Sequence, residues 1–137
     1  MQTVMVAGTF DVLHKGHEFF LKEAKKHGTR LVVIVARDES VERFKGRKPL
    51  YSEQARVDAL RKLGIADEAM LGHKGDIFEV IGEVKPDIIC LGYDQRVGEE
   101  ELAKELKRRN IPARVVRLPS HEPHIYKSSK LRPSSVP

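Results

Sequence analysis

Two imidazoles three residues apart, His14 and His17, are the side chains best suited to chemistry in this chain. They close the stretch Gly8-Thr9-Phe10-Asp11-Val12-Leu13-His14-Lys15-Gly16-His17, which runs from an apolar strand into a helical pattern carried by Phe19, Phe20, Leu21 and Ala24. Alone, an H-x-x-H pair reads as one capping and one surface histidine. A metal site would need a third ligand, and Asp11 is the only nearby candidate. The context points elsewhere. Gly8 follows the strand, Gly16 permits close backbone approach, Lys15 adds charge, and a helix N-terminus offers N–H groups to anions. Such a pocket suits phosphate, with imidazoles able to donate to a phosphoryl oxygen as charge develops.

The elements that must position this stretch alternate between strand and helix. Residues 3–7 read as the first strand, and residues 17–27 as a helix ended by Gly28. Residues 31–36, LVVIVA, form a continuous apolar run of the kind buried on both faces of a parallel sheet. A short helix holding Val41 and Phe44 follows, then a basic loop. Ser52 caps a helix with Ala55, Val57, Ala59, Leu60 and Leu63 as its apolar positions, and Gly64 ends it. Residues 68–71 are a short strand. Asp76 and Glu79 form a capping-box-like pair before Ile77, Phe78, Val80 and Ile81. Residues 88–91 and 113–118 are the last strands, separated by a helix with Glu99, Glu100 and Glu101 at its start and Lys107, Arg108 and Arg109 at its end. The expected fold is α/β: a single Rossmann-like domain with a five-stranded parallel sheet and helices on both faces. The domain spans residues 1–131, and 132–137 read as a loose tail.

Charged residues make up 33% and hydrophobic residues 40%, which excludes a disordered chain. The lone Cys90 lies in an apolar run and excludes an internal disulfide framework. No signal-peptide pattern or membrane-spanning run is present, so a cytoplasmic, soluble protein is expected. A net charge of +5 suits an anionic ligand.

The stretch from Gly8 to His17 resembles the signature of the HxGH nucleotidylyltransferases, specifically their cytidylyltransferase-like group. The segments VVIVARDESVERFKGRKP, LGHKGDIFEVI, KPDIICLGYDQ and KSSKL make the chain similar, over roughly residues 1–131, to archaeal-type FAD synthetases. The resemblance implies transfer of AMP from ATP to FMN, giving FAD and pyrophosphate. It implies His14 and His17 as catalytic residues on the α-phosphate and departing pyrophosphate. Gly8, Thr9, Phe10, Lys15 and Gly16 would complete the nucleotide pocket, with Asp11 orienting the loop. Tyr126, Lys127, Ser128 and Ser129 match the family's late phosphate-binding motif, although a K-S-S-K string alone is a polar tail. Asp94, with Tyr93 beside it, would meet ribose or base. Arg43, Lys45, Arg47 and Lys48 are candidates for the acceptor phosphate. Mg²⁺ or a similar ion would arrive on the triphosphate, with no metal site of the protein's own.

Two rivals remain. A cytidylyltransferase acting on glycerol 3-phosphate or a similar small phosphate would keep the mechanism. It is favoured by the low aromatic content, since a flavin ring needs an apolar slot. A nucleotide- or nucleic-acid-binding module without catalysis is disfavoured, because no basic stripe carries interleaved aromatics. A homodimer is compatible with a basic loop that crosses an interface.

Overall fold

The computed structural model describes residues 2–73, 77–92 and 98–119. The expected roles of Asp76, Tyr93, Asp94, Tyr126, Lys127, Ser128, Ser129 and residues 132–137 fall outside these, as does the side chain of Phe44.

The chain alternates as expected: β1 (Thr3–Gly8), α1 (Lys15–Lys25), β2 (Arg30–Val35), α2 (Asp38–Lys45), α3 (Glu53–Leu63), β3 (Glu68–Leu71), α4 (Ile77–Val84), β4 (Ile88–Leu91), α5 (Glu99–Arg108) and β5 (Arg114–Arg117). Every strand pair is parallel, in the order β3-β2-β1-β4-β5. The chain therefore steps outward from β1 on one side, then returns to place β4 on the other. That reversal opens a crevice beyond the carboxyl ends of β1 and β4.

Strand alternation divides the core between the two faces. Val4 and Val6 of β1, with Leu31, Val33 and Val35 of β2, pack with Leu21 and Ala24 of α1 and Val57 and Leu60 of α3. Met5, Val32 and Ile34 face the other way, onto Val80 and Ile81 of α4 and Leu106 of α5. Burial of both faces explains why β2 reads as an unbroken apolar run. Cys90 is buried in this core, which pushes its thiol up to about 11.

Two aspartates fix how strands begin. Asp87, just before β4, accepts from the Thr3 N–H at 2.8 Å, and Asp67, just before β3, accepts from the Leu31 N–H at 2.7 Å. The Leu31 bond and the Lys25 ammonium hold the Asp67 carboxyl below its ordinary value.

Two expectations need correction. The first helix begins at Lys15, two residues early, because His14 caps it. Ala55 and Ala59 are exposed, because the buried stripe of α3 runs through Arg56, Val57 and Leu60. No described helix is long and apolar enough to cross a membrane.

Asp87→Ala leaves the Thr3 amide without its partner next to β4. It should lower unfolding free energy by about 1–3 kcal/mol, read as a reduced urea midpoint at unchanged slope.

Candidate active site

The loop after β1 lies at the crevice where the strand order reverses. It is a tight turn. A Cβ on Gly8 would come within 3.0 Å of the Phe10 ring, and Phe10 adopts φ 51°, a region that aromatic residues rarely enter. Phe10 is buried in the core, and its ring lies 5.5 Å from that of His17. Its side chain therefore supports the site from beneath.

The two histidines are joined by a reciprocal cap. His14 Nδ1 accepts from the Gly16 N–H at 3.0 Å, and His17 Nδ1 accepts from the His14 N–H at 3.3 Å. Each Nδ1 is thus an acceptor, so a neutral ring carries its proton on Nε2. The rings lie against each other with centroids 4.0 Å apart and planes tilted by 31°. Gly16 is required because a Cβ there would lie 2.8 Å from the His14 ring. The same cap alters the expected phosphate site. The amides of Gly16, His17 and Glu18 all bond to His14, so imidazole edges replace these helix amides as donors. Lys15 is exposed in the first turn of α1.

Burial lowers the pKa of His17 to about 4. The charges of His14 and Lys45 act in the same direction, and the Val12 carbonyl opposes them. His17 is therefore a neutral hydrogen-bond donor at physiological pH.

Arg56 fixes the loop to its surroundings. Its side chain has no exposed surface. The guanidinium donates to the Thr9 carbonyl at 2.8 Å, the Tyr51 carbonyl at 3.1 Å and Asp38 Oδ1 at 2.7 Å. Asp11 makes a second tie, accepting from the N–H groups of Leu50 and Tyr51 at 2.7 and 2.9 Å. The sequence reading missed Arg56. Its signal was an arginine four residues before Leu60, on the stripe that also carries Val57.

A cavity of about 280 Å³ opens between the loop and the segment that follows α2. Thr9, Asp11 and Val12 form one wall, while Lys45, Arg47 and Lys48 bring three positive charges to it. Arg43 is not in the lining. It lies one helical turn from Glu39 on α2, and the two pair at 3.9 Å. A larger hollow of about 450 Å³ lies at the start of α5, lined by Gly98, Glu99, Glu100, Glu101 and Arg117. Its three carboxylates disfavour a polyphosphate. Among the described residues no three of His, Cys, Asp and Glu converge as a metal site.

The cytidylyltransferase-like family model matches residues 5–134. The chain belongs to the cytidylyltransferase-like family. It is 50% identical over 121 residues to the FAD synthase of Methanothermus fervidus, covering 86% of this chain and 83% of that one. It is 44% identical over 132 residues to the FAD synthase of Thermoplasma volcanium, covering 96% and 92%. The crystal structure of the lipopolysaccharide core biosynthesis protein from Thermoplasma volcanium matches with a TM-score of 0.85 at 45% identity, covering 89% of this chain and 99% of that one. The pantoate-beta-alanine ligase of Francisella tularensis, at 13% identity and a TM-score of 0.63, covering 88% and 60%, shares the fold alone.

Two outcomes follow for this family member. The His17 ring should titrate near pH 4 by NMR of the ligand-free protein. Its folded value lies below the unfolded value of 6.5, so its contribution to stability is complete above pH 6.5 and declines as pH falls toward 4. His17→Ala should flatten that limb of the stability curve. Arg56→Ala removes a buried side chain and strips the Thr9 carbonyl of its donor, and should cost about 2–5 kcal/mol in denaturant unfolding.

Proposed function

We propose that this chain is an FMN adenylyltransferase, transferring AMP from ATP to FMN and releasing FAD and pyrophosphate. The observation that carries the reading is the 44–50% identity to archaeal FAD synthases over most of both chains. The paired imidazoles at the switch point, that of His17 neutral, supply a chemistry that fits it.

An FMN phosphate oxygen attacks the α-phosphorus of ATP in line, and the bond to pyrophosphate breaks as the new one forms. The enzyme's work is to hold two anions together and stabilise the charge that develops between them. Nε2–H of His14 would donate to the α-phosphate and the departing pyrophosphate, and the ring N–H of His17 would do so in exchange for the Val12 carbonyl. Neither ring transfers a proton in this step. The cap on each Nδ1 aims the rings before substrate arrives. Gly8, Thr9, Phe10, Lys15 and Gly16 complete the nucleotide pocket by family resemblance. By family resemblance, Asp94 meets the ribose or base, and Tyr126, Lys127, Ser128 and Ser129 meet the β- and γ-phosphates. Lys45, Arg47 and Lys48 hold the acceptor phosphate. A divalent cation would neutralise part of the triphosphate charge. Phosphate oxygens and water would be the main ligands of such an ion.

The test is a pyrophosphate-release assay crossing ATP and CTP with FMN and glycerol 3-phosphate in the presence of Mg²⁺. ATP with FMN should be the productive pair, with FAD as the product. CTP with glycerol 3-phosphate as the productive pair would overturn the assignment. His17→Ala should lower kcat by roughly 10²- to 10³-fold without loss of the folded circular-dichroism spectrum.

A further inference from the structure

The three large apolar side chains exposed among the described residues gather at one place. Val12, Leu50 and Tyr51 are 48, 74 and 50% exposed. Val12 and Leu50 line the 280 Å³ cavity directly, together with Val41 and Pro49. Tyr51 follows Leu50 in the chain. The exposure comes from a defined conformation, because Asp11 accepts the N–H groups of both Leu50 and Tyr51. These bonds hold the backbone against the catalytic loop while the side chains point away from any core.

The cavity is therefore two-sided in chemistry. Lys45, Arg47 and Lys48 give it a cationic part, and Val12, Leu50 and Pro49 give it an apolar part. A small phosphorylated alcohol would answer the cations and leave the apolar wall wet. The complementary ligand is an anion attached to a broad, flat, largely apolar ring system. We propose that Val12 and Leu50 form the platform for the acceptor's ring, and that this platform selects a flavin phosphate over small phosphates. The inference rests on the FMN adenylyltransferase reading and extends it to the specificity-determining residues. Aliphatic walls with Tyr51 at the margin answer the scarcity of aromatic residues, since a planar ring packs on aliphatic side chains through the same burial of apolar surface. Val12 also ties ring to chemistry: its carbonyl interacts with His17, and its side chain lines the cavity.

The experiment compares wild-type protein with Leu50→Ser, Val12→Ser and Leu50→Met. Binding of FMN and of riboflavin, which lacks the phosphate, is followed by flavin fluorescence, and FAD formation is followed as a function of FMN and of ATP. Leu50→Ser and Val12→Ser should each weaken both flavins about tenfold or more. The KM for FMN should rise by a similar factor, and far more than the KM for ATP. Leu50→Met should restore most of the affinity. Lys45→Ala should weaken FMN but not riboflavin, which separates the phosphate half of the cavity from the ring half. Wild-type flavin affinity in both serine variants, with FAD still made, overturns the platform and leaves the FMN adenylyltransferase reading intact. A wild-type protein that neither binds FMN nor makes FAD overturns that reading and the platform with it.

Discussion

The guanidinium of Arg56 joins three pieces of chain that the sheet does not connect directly. Its three bonds reach the loop after β1, the segment before α3 and the start of α2. Thr9 and Tyr51 offer carbonyls with no strand partner there, and a planar cation with five N–H donors can satisfy both and still reach Asp38. Burying that charge is tolerable because each of its three nitrogens has an acceptor, with Asp38 retaining access to water. Around this group the network continues. Glu53 accepts from the Asp38 N–H at 2.8 Å, and Asp11 binds the two amides beside Tyr51. The loop after β1, the start of α2, the segment at Leu50 and Tyr51 and the capped end of α3 are thus held as one unit.

The histidine pair depends on that rigidity. Phe10 occupies the left-handed region, an arrangement that persists only where the surroundings impose it. Burial of its ring beneath Gly8 and the bond from Arg56 to the preceding carbonyl supply the constraint. Its ring meets His17, whose own Nδ1 is held by the His14 amide. Each imidazole is oriented by backbone that the turn has already fixed. Preorganised donors of this kind stabilise developing charge without reorganising during the reaction.

Much of this was legible in the residues. The apolar runs of β2 and β4, the capping Ser52 and the charge asymmetry of α5 specify an alternating α/β chain through local rules. His14, Gly16 and His17 stand out by context, because a histidine pair that alone reads as surface follows a glycine turn after a buried strand and opens a helix. Arg56 was illegible for the opposite reason, since an arginine on a helix otherwise rich in charge reads as a solvated residue. Ala55 and Ala59 were misplaced because small apolar residues suit either side of a helix. Arg43 adjoins its basic neighbours in sequence, and its position on α2 sets it one turn from Glu39.

By itself the sequence determined the element order, the parallel sheet and the family signature, because periodicity, capping and turn chemistry act over a few residues at a time. Only the tertiary structure decided the tautomers of the histidines, the burial of Arg56 and the meeting of Val12 with Leu50 across one cavity. The tautomers follow from bonds two and three residues apart whose geometry needs the folded turn, while the other two features join residues about 40 positions apart, set by how helices pack over a sheet whose strand order reverses at β1.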